Sequence, residues 1–158
     1  MAHVFQYELE GNGWAVSTIT VDGLCIKLDA SYVHDTFANV VEALIAKFDG
    51  TESVEWVYFH EPLSTHVRLK NTSANVHMSL WEFSDLRVPR PTLGEAGRLI
   101  AQGEIELNKI MGDVIISGSR MLEKHGDDGY EKAWRRRFPT EGLEKLKQVR
   151  RDLGRVVS

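Results

Sequence analysis

Two tight-turn signals near the start of the chain constrain the fold more than any other feature of the sequence. Gly11-Asn12-Gly13 and Asp22-Gly23 separate runs that are rich in β-branched and aromatic residues. Such turns favour β-hairpins because glycine, asparagine and aspartate tolerate a positive φ. We therefore predict three short antiparallel strands, with a two-residue second loop that places Val21 opposite Leu24.

The length of the first loop decides which side chains share a face. A three-residue loop from Gly11 to Gly13, with Gly13 in the left-handed conformation, pairs Glu10 with Trp14. A shift of one residue would reverse every side chain of one strand, so this register is the one that gathers the apolar residues. The predicted apolar face consists of Phe5, Tyr7, Leu9, Ile19, Ile26 and Leu28, and Cys25 points away from it.

A helix and three more strands follow. Ser31 can cap a helix that runs to about Phe48, with apolar residues at three- and four-residue spacing and Gly50 just past its end. The strand sequences are SVEWVYFHE, THVRLK and NVHMSLWEF. Their separators contain Pro62 and the polar run from Asn71 to Ser73, which are typical of loops.

From Arg87 onwards the pattern becomes helical, after a connector that contains Pro89 and Pro91. We predict one helix ending at His125-Gly126, a short helix over 130–137 and a last amphipathic helix opening at Pro139-Thr140. The fold class is therefore α+β: a six-stranded, mostly antiparallel sheet (βββ-α-βββ) followed by C-terminal helices that pack on it. One domain is expected over 1–158, with a sheet part at 1–86 and a helical part at 92–158.

Composition and charge limit the class of protein. The single cysteine cannot form an internal disulfide, and no 18-residue apolar run exists, so we expect a cytoplasmic protein without a membrane anchor. Residues 1–117 hold 8 basic and 16 acidic side chains, whereas residues 118–158 hold 11 basic and 7 acidic ones. An acidic surface repels phosphate backbones and attracts cationic proteins. We expect a protein partner rather than nucleic acid, and docking of Arg135-Arg136-Arg137 onto the protein's own acidic part.

The strand in SANVHMSLWEF raises the functional question, because both of its faces carry apolar residues. We assign Val57, Phe59, Val67, Leu69, Val76, Met78 and Leu80 to the core. The opposite face then collects Trp56, Tyr58, His60, His66, Arg68, Lys70, His77, Ser79, Trp81 and Phe83. This assignment requires an odd-length connection at Glu61 to Leu63, since a shift of one residue would move Trp56 and Tyr58 into the core.

Three interpretations of that face remain open. The basic C-terminal helices or a second subunit could cover it, which would include a homodimer. It could bind another protein, because tryptophan, tyrosine and arginine dominate interface energetics. It could also be a ligand, metal or catalytic pocket around His60, His66 and His77, since histidines on alternating strand positions can converge on a metal.

Motifs for common chemistries are missing. The sequence contains no GxxxxGK[ST] phosphate loop, HExxH, CxxC or GxSxG. Gly11-x-Gly13 precedes a strand, so it cannot present a helix amino terminus to a pyrophosphate. We therefore predict no catalytic residue, metal ligand or cofactor.

Several segments resemble a known group of proteins. HGDDGYEKAWRRRFP, GNGWAVSTITVDG, DASYVHDTFANVVEALIAKF, HEP and LWEFSD are similar to small uncharacterised bacterial proteins of the immunity type. Such proteins are encoded beside polymorphic or contact-dependent toxins and act by tight binding. The resemblance implies a toxin domain as partner and no catalytic residue.

A surplus of carboxylates on the binding domain would steer it toward a cationic toxin. The candidate acids are Glu52, Glu55, Glu61, Glu82 and Asp85, and the candidate apolar anchors are Trp56, Tyr58 and Trp81. His60, His66, Arg68 and His77 complete the predicted binding surface.

Overall fold

The computed structural model describes residues 3–72, 75–86 and 97–157, and its fold is α+β. The elements are β1 (Phe5–Gly11), β2 (Trp14–Val21), β3 (Leu24–Ser31), α1 (Thr36–Phe48), β4 (Ser53–Phe59), β5 (Ser64–Asn71), β6 (Val76–Phe83), β7 (Arg98–Ile105), α2 (Leu107–Trp134) and α3 (Thr140–Val157). The predicted single six-stranded sheet is wrong. The strands described form two antiparallel sheets, β1-β2-β3 (the first sheet) and β4-β5-β6-β7 (the second sheet).

The additional strand is β7, which lies inside the part that was predicted to be helical. Its sequence RLIAQGEI places glutamine, glycine and glutamate between its apolar residues, so its own strand propensity is weak. Its pairing with β6, from Val76 to Glu82, therefore defines the strand. The predicted connector at Pro89 and Pro91 lies outside the described residues.

The first sheet has the predicted register. Phe5 pairs with Ile19 and Val21 pairs with Leu24, so the predicted apolar face is confirmed. The predicted three-residue loop is wrong, because Gly11 rather than Glu10 pairs with Trp14 and the loop is Asn12-Gly13. A bulge between Leu9 and Gly11 keeps the predicted apolar residues on one face. Gly13 has φ +80°, as predicted. Cys25 is exposed on the opposite face.

Helix α1 begins later than predicted. Ser31 belongs to the end of β3, and Asp35 occupies the position before the first helical turn. The Ser31 hydroxyl instead accepts a hydrogen bond from the Val33 N–H, which turns the chain before the helix. The predicted end at Phe48 is confirmed.

Helix α2 contains the first predicted C-terminal helix and part of the second, which was predicted to reach residue 137 but ends at Trp134. Gly126, with φ +69° and ψ 172°, interrupts the helical conformation at the predicted boundary, and helical structure resumes to Trp134. Helix α2 packs along β1, and α3 packs against α1 and α2. None of the described helices is long and apolar enough to cross a membrane.

The arginine run docks onto the protein's own chain, as predicted. Arg136 donates hydrogen bonds to the carbonyl oxygens of Tyr32 and Val33 at 2.7 and 2.9 Å. The guanidinium of Arg135 lies 4.9 Å from the centre of the Tyr32 ring. Arg135 and Arg136 therefore dock onto a short loop after β3 through carbonyl groups and a ring, and not onto the acidic groups that were predicted. Arg137 lies 3.4 Å from the Glu131 carboxylate of α2.

The register of β4 contradicts the sequence-based assignment. Phe59 pairs with Ser64, so the connection spans four residues, and Trp56 pairs with Val67. Trp56 and Tyr58 therefore face the core and are fully buried, while Val57 and Phe59 lie on the other face. The sequence of β4 could not decide this, because both of its faces are apolar enough to be buried.

One core unites the two sheets and the helices. The Tyr58 hydroxyl, which accepts a hydrogen bond from the Trp56 indole N–H at 3.2 Å, lies 2.9 Å from the Ser17 hydroxyl on β2. Gly118 on α2 faces Phe37 of α1 and Leu143 of α3. The inner face of the second sheet, which carries Trp56, Val67, Leu69, Met78 and Leu80, belongs to this core.

Candidate binding surface on the second sheet

The outer face of the second sheet is the face opposite the shared core. Registers across β4, β5, β6 and β7 define its members. They are Glu55, Val57, Phe59, Ser64, His66, Arg68, Lys70, His77, Ser79, Trp81, Phe83, Leu99, Gln102 and Glu104. One end of this face is buried and the other is open to solvent.

The buried end is a small apolar cluster separate from the main core. Val57, Phe59 and Phe83 are buried, yet they do not belong to the cluster of residues that joins the two sheets. The His66 and Phe83 rings meet edge to face with centroids 4.9 Å apart, and His34 lies 5.2 Å from the Phe59 ring. This end therefore contributes to stability and is closed to a partner.

A cluster of three polar side chains, Glu55, His66 and Arg68, borders the buried end. Glu55 accepts a hydrogen bond from Arg68 at 3.1 Å, and its other carboxylate oxygen lies 3.8 Å from Nδ1 of His66. Burial alone would raise the pKa of Glu55, but the interactions with His66 and Arg68 outweigh burial and hold that pKa below its usual value. His66 is fully buried, and neither ring nitrogen has a hydrogen-bond partner among the described residues. At 3.8 Å the contact with Glu55 is too long for a hydrogen bond.

The open end presents Trp81 beside an exposed aliphatic residue. The Trp81 indole N–H donates to the Ser79 hydroxyl at 3.0 Å, which leaves the ring surface for packing. Leu99, opposite Trp81 on β7, is 38% exposed. His77 is hydrogen-bonded to Gln102 at 3.1 Å across the same pair of strands. This end thus combines an aromatic, an aliphatic and several polar side chains.

The structure brings five predicted site residues together and separates the others. His66, Arg68, His77 and Trp81 lie on the outer face, as predicted. Glu55, a predicted binding acid, lies there too, because the two faces of β4 are reversed relative to the prediction. The prediction that Trp56 and Tyr58 are exposed is wrong, because both face the core. Of the remaining four, His60, Glu61 and Asp85 lie beyond the ends of strands, whereas Glu82 lies in β6 on the face opposite the outer one.

His60 and Glu82 have partners of their own. His60 is hydrogen-bonded to Thr65 at 2.9 Å, and burial lowers the pKa of His60 although Glu82 and Asp29 partly offset the effect. Glu82 accepts a hydrogen bond from Arg98 at 2.7 Å. Glu61 and Asp85 are exposed in the segments that follow β4 and β6. The assignment of His60 to the outer face is therefore wrong.

Sequence reasoning missed the part of the surface that β7 supplies. Leu99, Gln102 and Glu104 were placed in the helical part, and only the alternation of polar residues with Ala101, Gly103 and Ile105 could have indicated a strand. That signal is short and weak.

The histidines of the second sheet do not converge on one point. His60, His66 and His77 each have different neighbours, and no group of three or more histidine, cysteine or acidic residues able to hold a metal occurs in the described part of the chain. Comparisons with known proteins found no matching family model, no matching curated protein and no matching solved structure.

Proposed function

We propose that this chain is a non-enzymatic protein-binding module, and specifically an immunity protein that binds and neutralises a bacterial toxin domain in the cytoplasm. One observation carries the proposal: the second sheet already buries its inner face, yet its outer face keeps Trp81 beside the exposed Leu99. Tryptophan and arginine are enriched among residues that dominate binding energy. The outer face supplies Trp81 and Arg68 on neighbouring strands.

The charges near this face suit a cationic partner. Exposed acids lie before β4, after β4, after β6 and on β7, namely Glu52, Glu61, Asp85 and Glu104. An acidic rim speeds the encounter with a basic protein, whereas a central apolar contact slows its release. The sequence resemblance to immunity proteins adds the class of partner, a toxin domain.

Co-expression with the product of the adjacent gene tests the proposal. We expect the two proteins to purify together and the cells to be protected from that product. Trp81→Ala should weaken the complex by about 2 kcal/mol or more if Trp81 is an anchor at the centre of the interface. Trp14→Ala is the matched control, because Trp14 is 37% exposed on the first sheet, away from this face.

Two results would count against the proposal. One is the lack of both a complex and protection with the neighbouring product. The other is equal binding by Trp81→Ala and Trp14→Ala, which would place the contact elsewhere on the molecule. Sedimentation of the isolated protein separates a third outcome, a homodimer that buries Trp81 against a second copy.

His66 supports a second candidate, a small enzyme or ligand- or metal-binding protein that uses the histidines of this sheet. The His66 imidazole is fully buried and neither of its nitrogens has a hydrogen-bond partner in the described ranges, which is costly, and such groups often mark a functional site. Metal analysis of the purified protein, and its repetition on His66→Gln and His77→Gln, tests this candidate. Binding to a protein partner should survive both substitutions better than metal binding or catalysis would.

A further inference from the structure

A groove of about 310 Å³ lies between β1 and α2, away from the outer face of the second sheet. Its strand wall is formed by residues 6–9, and its helix wall includes Ser117, Arg120 and Lys124. The volume is at the small end of the range for ligand pockets. The groove is therefore large enough for a small organic molecule or one side chain.

The backbone of β1 points polar groups into this groove. Thr20 N–H donates to the Val4 carbonyl, so the even-numbered residues of β1 bond to β2. In an antiparallel ladder the intervening residues then direct their N–H and C=O groups away from the partner strand. Phe5 confirms this direction, because its N–H donates to the Asp113 carboxylate on α2. Tyr7 and Leu9 follow in the same alternation, and both line the groove.

The chain itself shows that a carboxylate fits this edge. Asp113 accepts hydrogen bonds from the N–H groups of Val4 and Phe5 at 2.7 and 3.2 Å, and Lys109, one helical turn earlier, lies 3.3 Å from the same carboxylate. A cation on the helix and an N–H on the strand edge hold the anion between them. Cations also line the groove two turns further along α2, where the acid on the wall is Glu8 of the strand and not a residue of the helix.

There the cations are Arg120 and Lys124, one helical turn apart. Neither forms an ion pair with any residue in the described ranges. On the helix wall Ser117 and Met121 line the groove, so no carboxylate of the described part of α2 takes the place that Asp113 takes beside Phe5. Glu8 lies on the strand wall and disfavours a second negative charge there.

We propose that this groove binds the carboxylate of a singly charged organic acid. Arg120 and Lys124 supply the charge, the N–H groups of Tyr7 and Leu9 supply hydrogen bonds, and Val16 with Met121 contacts the apolar remainder. The shared chemistry is one carboxylate next to a short apolar chain. It can come from a free acid or from an acidic side chain of a peptide.

NMR titration of the full chain tests the proposal. Butyrate probes the free acid, a blocked peptide with one glutamate probes the side chain, and sulfate probes binding of any anion. We expect butyrate or the peptide, but not sulfate, to shift the amide signals of Tyr7 and Leu9. The probe that binds more tightly identifies the source of the carboxylate.

Substitutions on the two walls should act in opposite directions. Arg120→Gln or Lys124→Gln should weaken binding about tenfold, which corresponds to the loss of one charge-assisted hydrogen bond. Glu8→Gln should strengthen binding because it removes a repelling charge. Lys132→Gln, on the same helix and exposed, should change nothing. Absence of shifts with both carboxylates, equal shifts with sulfate, or unchanged affinity in Arg120→Gln and Lys124→Gln would overturn the proposal.

Discussion

The hydroxyl of Tyr58 lies 2.9 Å from the hydroxyl of Ser17, and this contact joins the two sheets across the core. Ser17 also donates to the Gln6 carbonyl at 2.7 Å, and Trp56 donates to Tyr58. Four groups from three strands thus satisfy one another, and the contacts among Ser17, Tyr58 and Trp56 are buried. This polar network fixes the position of one sheet on the other inside an otherwise apolar core.

Tyr58→Phe should therefore destabilise the protein by about 1–3 kcal/mol, because the buried Trp56 N–H loses its acceptor. Tyr130→Phe is the matched control, since the Tyr130 hydroxyl is buried without a hydrogen-bond partner among the described residues. Its removal should be neutral or stabilising. Urea unfolding of both variants measures the difference, and equal losses would contradict the network.

Alkaline pH should unfold the protein through its buried tyrosines. Burial raises the pKa of Tyr7, Tyr58 and Tyr130. A raised folded-state pKa gives stability that is complete below the unfolded pKa of about 10 and is lost as the pH rises further. In a Tyr32→Phe variant only these three of the four tyrosines remain. Phenolate absorbance should then rise together with unfolding and not before it.

Replacement of the buried Asp113 should be costly. Asp113→Ala leaves the Val4 and Phe5 N–H groups without an acceptor, so we expect a loss of about 2–4 kcal/mol. Asp128→Ala, on the exposed part of α2, is the control.

The loss at Asp113 should depend on pH. Burial would raise the pKa of Asp113, but hydrogen bonds from His3, Phe5 and Val4 and the charge of Lys109 lower it overall. The stabilisation is therefore present above the unfolded pKa of about 4 and is lost as the pH falls through the folded pKa. Unfolding at neutral and at acid pH should show the gap between wild type and Asp113→Asn closing at acid pH.

Trp56 and Trp81 should respond differently to truncation. Trp56 is fully buried, so Trp56→Ala should cost about 3–5 kcal/mol. Trp81→Ala removes a partly exposed ring and should cost about 1–2 kcal/mol. Thermal denaturation compares the two, and a larger loss for Trp81 would contradict the observed register of β4.

Substitution of Gly118 by alanine should destabilise the protein, although alanine is normally favoured over glycine inside a helix. A Cβ there would lie 3.0 Å from atoms of both Phe37 and Leu143, which are themselves buried. We expect Gly118→Ala to destabilise by about 1–3 kcal/mol. Gly154→Ala, with open space around it, should be neutral or stabilising by up to about 1 kcal/mol. Chemical unfolding of the pair provides the measurement.

Local sequence signals were sufficient to predict the features that glycine conformation determines. The glycines at 13 and 126 adopt positive φ, which fixed the first hairpin and the break in α2. The register of the first sheet followed, because only one alignment gathers Phe5, Tyr7 and Ile19 on one side. These features depend on neighbours in sequence.

The orientation of β4 and the existence of β7 depend on contacts with residues that are distant in sequence. Both faces of β4 are apolar, so its orientation is set by a four-residue connection and by Ser17 of another sheet. Strand β7 is defined by its pairing with β6 and not by its own composition. For the same reason the predicted surface wrongly included Trp56 and Tyr58 and did not include Leu99, Gln102 and Glu104.

The bond between Phe5 and Asp113 spans 108 positions of the sequence. A ribosome that adds about 5–20 residues per second needs about 5–20 seconds to make that span. Throughout that interval the apolar side of the first sheet is without the helix that lies along it. A chaperone that recognises extended apolar segments would find its substrate there, before α2 leaves the exit tunnel.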